Sequence, residues 1–414
     1  MGPRVEVRIL GTRDPLSDPV LRRELGERYL VWDAHVAGAR RVDVHPLVLP
    51  LAMHERAVRA AEETARVVGL VASRAHADSG ERALYRVPSC VEEMAAASRE
   101  AGDSAILARV DLLLGEDGEW HACEINADCP GGHNEALGLP RLARAAGFSR
   151  CIDPTNVTDM LVRRLTELAD GRAVGLMFAT AYAEDLQVCA LVQRLLTQRG
   201  VRALLVPPTA LKLRGGELTY RGEPIGAIYR YFPAEYMEGQ KNVADVIAAT
   251  RSGAVRSLTS FEHIYTQSKL SFARAWAHEG PLDATSRASL GAYVPQTLSA
   301  TSVSRAALEE QRADWVLKRA YGRVGDQVHV GELFDDDAWR GVVDVVMTQL
   351  DRGESWIAQR FVRQRAIPTP WGDRYVTLGA YVEGGRFAGY FARVTPQSHV
   401  SHDALCVPVF REAA

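Results

Sequence analysis

A mixed α/β (α+β) fold with an additional small α/β lobe is what the sequence predicts, and three observations predict it. The first is a strand–helix–strand unit. Val174 to Phe178 is a continuous apolar run, Asp185 to Arg199 is amphipathic at helical spacing and stops at Gly200, and Val201 to Val206 is a second apolar run. The second is a charged hairpin, with strands over 105–114 and 120–127 around the turn Gly115-Glu116-Asp117-Gly118-Glu119. The third is a C-terminal run of short strands over 315–318, 327–330, 356–362, 375–382 and 386–394, the last two joined at Glu383-Gly384-Gly385.

The remaining elements fill in around these. Leu51 to Ala72 carries Ala, Val and Leu among Arg and Glu at helical spacing, and Thr158 to Ala169 reads as a second helix. Ile225 to Phe232 adds a strand to the small α/β unit, and Phe261 to His278 reads as a helix carrying Lys269. Neither a G-x-G-x-x-G fingerprint nor a G-x-x-x-x-G-K-[ST] loop occurs, so two common nucleotide folds lose their main support.

Composition narrows the classes further. The 414 residues are 47% hydrophobic and 24% charged with a net charge of −3, ordinary for a folded chain and without the basic field of nucleic-acid binders. No apolar run approaches the roughly 20 residues a membrane helix needs, and Glu6 stands where a myristoylation motif requires Ser or Thr. The six cysteines (Cys90, Cys123, Cys129, Cys151, Cys189 and Cys406) form no C-x-x-C pair, and we read them as reduced thiols of a cytoplasmic protein. Only four of the 49 basic residues are lysine: Lys212, Lys241, Lys269 and Lys318. A lysine kept in so arginine-rich a chain marks a position that wants a compact ammonium rather than a planar fork, or is drift.

The hairpin is the most informative stretch. If Asp117-Gly118 forms a two-residue type I′ turn, Asp111 lies opposite Glu124 and Arg109 opposite Asn126. Alternation puts these four on one face and Ala108, Val110, Leu112, Cys123 and Ile125 on the other. Two opposed carboxylates repel, so a positive group belongs between them. Two readings fit: a Mg²⁺ held by hard oxygen ligands, or a solvated face on which Arg109 neutralises both acids.

Lys318 ends the apolar strand Trp315-Val316-Leu317 and leads into Tyr321-Gly322-Arg323-Val324-Gly325-Asp326. Two glycines there let backbone N–H groups approach phosphate oxygens, with the lysine as a point charge, although an ordinary hairpin loop reads the same way. Trp356 to Val362, including Gln359 and Phe361, suits either an adenine-binding edge or a core strand. Arg393 late in its strand is a phosphate clamp or a surface residue.

Taken in order, the chain resembles circularly permuted ATP-grasp ligases, in particular the synthetase part of glutathionylspermidine synthase. The resemblance rests on Ala108-Arg109-Val110-Asp111, Glu124-Ile125-Asn126-Ala127-Asp128, Ile228 to Pro233, Lys269, Leu317-Lys318 through Gly325, Gln359, and Gly379-Ala380-Tyr381 through Arg393. It implies a circularly permuted ATP-grasp fold divided at 1–104, 105–170, 171–260 and 261–414. It assigns Asp111, Glu124 and Asn126 to Mg²⁺, and Lys269 and Lys318 to the ATP phosphates; Gly322 to Asp326 is the candidate lid, with Gly322, Arg323 and Gly325 read as nucleotide-binding. Gln359 and Phe361 fall at the adenine hinge, and Arg109 and Arg393 at the transferred or acyl phosphate. The activity implied joins a small-molecule carboxylate donor to an amine acceptor with release of ADP. A nucleotide-binding protein without chemistry, or a hydroxyl or thiol acceptor, are the alternatives. Cys129-Pro130-Gly131-Gly132 stands where the family carries small hydroxyl residues, a departure at the donor contacts.

Overall fold

The computed structural model describes residues 6–11, 15–36, 38–148, 150–277, 282–322, 327–399 and 404–413. In chain order the elements that position the site are helix α1 (Leu51–Ala72), strands β1 (Leu107–Leu114) and β2 (Trp120–Asn126), and helices α2 (His133–Ala145) and α3 (Val157–Ala169). Then come β3 (Ala173–Phe178), α4 (Ala183–Gln198), β4 (Ala203–Val206), β5 (Glu223–Tyr231) and β6 (Arg256–Leu258). The last third holds α5 (Leu270–Trp276), β7 (Thr297–Ser299), β8 (Trp315–Arg319), β9 (Val328–Val330), α6 (Asp336–Asp351), β10 (Trp356–Arg360), β11 (Tyr375–Glu383), β12 (Arg386–Thr395) and β13 (Leu405–Val407). The mixed α/β expectation holds, and most predicted elements fall within a few residues of their observed bounds.

Three sheets carry the architecture. A five-stranded antiparallel sheet runs β13-β12-β11-β1-β2, so the charged hairpin is completed by strands from the end of the chain. A six-stranded sheet has β4, β3, β5 and β6 in parallel, extended antiparallel by Glu217–Tyr220 and Lys212–Arg214. A four-stranded antiparallel sheet runs β7-β10-β8-β9. No helix among the described residues is long and apolar enough to cross a membrane.

Helix α1 packs on the five-stranded sheet. Ala57, Ala60, Ala61 and Val68 line its buried face, and their small side chains let the helix settle onto Val110, Leu112, Leu378 and Ala380. Trp120 Nε1 donates to the Met53 carbonyl at 3.1 Å and ties β2 to the start of α1. The side chains left on the opposite sheet face, at odd positions of β1 and β11 and even positions at the end of β2, build the site.

Two expectations need correction. The hairpin turn is longer than a two-residue type I′ turn: Gly118 has φ +82° but Asp117 is not in the left-handed region, and the Gly115 N–H donates to Glu119 O at 2.9 Å. Near the turn Leu112 therefore faces Ala122 and Leu114 faces Trp120, one residue out of the expected register. A bulge at Cys123 restores it, so Asp111 does pair with Glu124 and Arg109 with Asn126. The Asp117 carboxylate favours the longer turn by accepting the Glu119 N–H at 3.0 Å and contacting His121 at 2.9 Å. The stretch 261–278 is expected as one helix, and its described residues 261–277 hold a 3-10 turn (Phe261–His263), a single helical turn (Ile264–Gln267) and α5, with 278 outside the described residues. The break at Ser268 lets the Lys269 N–H bond Ala320 O at 3.0 Å instead of a helical carbonyl.

Candidate functional site

The site lies where the β1–β2 edge of the five-stranded sheet meets the four-stranded sheet. A cleft with a cavity volume of about 100 Å³ opens between them. Its apolar walls are Leu113, Val316, Val328, Val330, Phe361 and Val362, and its polar end holds Asp111, Glu124, Lys318 and Arg393.

Asp111 is the buried anchor. Arg109 forks onto it, Nε to Oδ1 at 2.6 Å and Nη2 to Oδ2 at 2.9 Å, and Arg393 Nη2 donates to Oδ2 at 2.8 Å. Arg109 Nη1 goes to Gly131 O at 2.9 Å, where Tyr381 Oη also donates at 2.6 Å. Gly379 opposite Asp111 makes this possible, since a Cβ there would sit 2.7 Å from Arg109 Cδ and 2.9 Å from Phe391 O. Both guanidinium groups also approach the face of Phe391, at 5.3 and 5.6 Å from its centroid. Burial works against the Arg109 charge, but Asp111 outweighs it and raises the guanidinium further above its usual range.

Glu124 is the more open acid. Lys269 Nζ stands 3.5 Å from its Oε2 and donates to Gly322 O at 2.8 Å. Burial alone would raise the Glu124 carboxyl. Lys269, then Lys318, Arg393 and Arg109, outweigh it and hold the group well below the usual carboxylate range. Asn126 Nδ2 lies 3.4 Å from Asp111 Oδ2 and 3.3 Å from Glu124 Oε1. Two opposed carboxylates and an amide, whose oxygen turns inward on a 180° flip, suit Mg²⁺, which needs only one or two protein carboxylates besides phosphate and water. Among the described residues no group of three or more His, Cys, Asp or Glu is placed to hold a metal ion.

The structure thus brings Arg109, Asp111, Glu124, Asn126, Lys269, Lys318 and Arg393 together. Phe361 lines the cleft just past β10. Gly322 receives Lys269, while Arg323 and Gly325 lie outside the described residues. The Gln359 side chain is buried and engaged with Lys318 and Thr297, at 2.7 and 3.0 Å, instead of extending as a free hinge contact. Cys123, expected on the apolar face, lines the cleft because the bulge turns it there. Burial pushes its thiol up to about 12 despite Lys318, which favours the protonated form, and its carbonyl accepts from Lys318 Nζ at 3.0 Å.

Sequence reasoning missed Thr297, for which no local pattern exists, and it took in Tyr381 and Phe391 only as part of the stretch through Arg393, without a role for either; Glu135, away from the cleft lining, was also not singled out. Glu135 lies in the first turn of α2 beside Asn134, whose Nδ2 donates to the carbonyls of Tyr29, Leu30 and Gln187. Burial, then the nearby Asp33 carboxylate, raise the Glu135 carboxyl from 4.5 to about 7. The folded chain therefore holds a proton there that the unfolded chain releases, and this contribution is lost as pH rises through about 7. Glu135→Gln is expected to match the parent below about pH 4.5 and to exceed it by on the order of 2–3 kcal/mol above pH 8. Denaturant unfolding across pH checks this, and a difference independent of pH would refute it.

With this geometry in place, comparison with known proteins defines the class. The fold is that of a synthetase-like α/β protein: a glutathione synthetase-like effector from Globodera pallida in its apo form superposes with a TM-score of 0.58 over 99% of each chain, at 11% identity. A putative gamma-glutamylcysteine synthetase from Methylobacillus flagellatus KT is also similar, with a TM-score of 0.41, 13% identity and coverage of 74% of this chain and 79% of that one. No curated protein sequence matches. The chain belongs to the glutathionylspermidine synthase preATP-grasp family, whose model matches residues 49–410. This places it in an ATP-dependent ligase family.

Proposed function

We propose that the protein is an ATP-dependent carboxylate–amine ligase that works through an acyl phosphate and releases ADP and phosphate. The observation that carries this reading is the convergence of Lys269, Lys318, Arg393 and Arg109 on the facing Asp111–Glu124 pair, at the polar end of an apolar cleft. An apolar slot that opens onto clustered cations matches a nucleotide, whose base is flat and apolar-faced and whose phosphates are anionic.

In this reading the adenine lies between Val316, Val328 and Val330 on one side and Leu113, Phe361 and Val362 on the other. The backbone leaving β10 at Arg360 to Val362 offers the hinge. Lys269 and Lys318 take the phosphates, and Arg393, tethered through one nitrogen to Asp111, faces the transferred group. Asp111, Glu124 and Asn126 would hold Mg²⁺, which supplies charge neutralisation between the phosphates. A donor carboxylate oxygen attacks the γ-phosphorus and ADP leaves. The amine nitrogen then attacks the acyl carbon, phosphate departs, and the nitrogen loses a proton to give the amide. We read the architecture as a circularly permuted ATP-grasp fold with the six-stranded sheet as its small extra lobe. The acids of β1 and β2 precede both lysines in the chain, and β11 and β12 from the chain's end complete their sheet, which supports that reading.

The nucleotide product tests it. With a donor acid found by screening amino acids, short peptides and other small carboxylates, and hydroxylamine in place of the amine, ADP and a hydroxamate are expected. AMP and pyrophosphate as products would overturn the assignment. ADP without hydroxamate across the whole screen would favour a kinase or an idle ATPase.

A further inference from the structure

Lys318 is held by a chain of hydrogen bonds whose direction admits one arrangement. Its ammonium donates to Gln359 Oε1 at 2.7 Å and to the Cys123 carbonyl at 3.0 Å. Gln359 Nε2 donates to Thr297 Oγ1 at 3.0 Å, and the Thr297 hydroxyl donates to Pro295 O at 2.8 Å. An ammonium has only donors and the Pro295 carbonyl only accepts. With both ends fixed, the amide must turn its oxygen to lysine and its nitrogen to threonine, and the hydroxyl must point its hydrogen at Pro295. A flipped amide would set N–H against N–H at Lys318. All three side chains are buried, at 5%, 2% and 0% exposure for Lys318, Gln359 and Thr297, so water does not relax this order. The register allows it, because Gln359 on β10 pairs with Thr297 on one side and Val316 on the other, while Lys318 lies two residues along β8.

Two of the three ammonium hydrogens are thereby spent. The third has no partner among the described residues, and Lys318 lines the cleft. We propose that Thr297 and Gln359 are positioning residues that lock the Lys318 ammonium so that one N–H faces the bound phosphate, and that Gln359 serves the lysine instead of reading the base. The proposal rests on the nucleotide reading above. Its consequence for specificity is that base identity is set by the backbone leaving β10 and the apolar walls, not by the Gln359 amide.

The test uses the four-lysine composition, which makes ¹⁵N-lysine spectra simple to assign by single Lys→Arg variants. In the full chain without nucleotide, the Lys318 ammonium should give a slowly exchanging signal, while exposed Lys212 and Lys241 exchange too fast to be seen. Thr297→Val should abolish that signal and Thr297→Ser restore it. In calorimetry with the magnesium complex of a non-hydrolysable ATP analogue, Thr297→Val should weaken binding about tenfold and Thr297→Ser little. Gln359→Leu should weaken the ATP and GTP analogues by the same factor. Loss of ATP preference alone in Gln359→Leu would overturn the proposal, as would an unchanged Lys318 signal in folded Thr297→Val. A parent chain that binds no nucleotide would sink the ligase reading, and the ammonium spectra would still decide whether the relay holds the lysine.

Discussion

Glu124→Gln is expected to leave the chain folded and to lower ATP-dependent turnover by about 10²- to 10³-fold, the scale of losing one preorganised electrostatic group at a reacting phosphate. Glu124 is the partly open acid, and its charge is supported by Lys269, Lys318, Arg393 and Arg109 together. The amide keeps the shape and removes the charge. Asp111→Ala should behave differently. Asp111 is buried and pairs with Arg109 and Arg393 at once, so its removal strands Arg109 as a buried, uncompensated guanidinium. Breaking a buried pair from one side costs about 3–5 kcal/mol, enough to take most of the stability of a marginal domain. A coupled ADP assay and urea unfolding, run on both variants, separate the two roles. Near-normal turnover in Glu124→Gln would remove the metal and phosphate assignment. Full stability of Asp111→Ala would show that the arginines find other partners.

The facing of Asp111 and Glu124 was legible because strand alternation is a local rule and both residues lie close to a marked turn. The route to it was not. The turn is longer than Asp-Gly chemistry suggests, and the bulge at Cys123 that compensates is a two-strand feature seen only once the strands are paired, with the Lys318 ammonium on its carbonyl. Lys269 was legible as an unusual lysine in an arginine-rich chain. Its place in a helix break was not, because the backbone bond to Ala320 that favours the break comes from 51 residues further on. Gln359 shows the same limit from the other side. Its strand is readable from Trp356-Ile357-Ala358, yet what its amide meets depends on Thr297 and Lys318, brought alongside only by the sheet order. Local periodicity thus finds elements and faces, while the partners of a buried polar group depend on tertiary register. Tyr381 and Phe391 stood in a stretch the sequence marked, but their backing of Arg109 through Gly131 and the aromatic face was hidden for that reason.

The scarcity of lysine leads to the remaining prediction. Lys269 and Lys318 are 4% and 5% exposed and converge on the acidic pair, whereas Lys212 and Lys241 are exposed on the surface. A buried ammonium without a ligand is costly, and here the cost is met by Glu124 and Gly322 for Lys269 and by Gln359 and the Cys123 carbonyl for Lys318. Such groups are already desolvated and oriented, so an arriving phosphate gains more from them than from a mobile surface lysine. Lys269→Ala and Lys318→Ala are each expected to weaken binding of a non-hydrolysable ATP analogue by about 10- to 100-fold, the scale of one charge-assisted hydrogen bond. Lys212→Ala and Lys241→Ala should leave it unchanged. Calorimetric titration of the four variants reads the difference directly, and four equal affinities would mean that burial beside Asp111 and Glu124 has no bearing on phosphate binding. Because the two buried lysines belong to one charge cluster, the double variant should lose less than the product of the single effects, as Glu124 then repels the phosphates in both single and double variants.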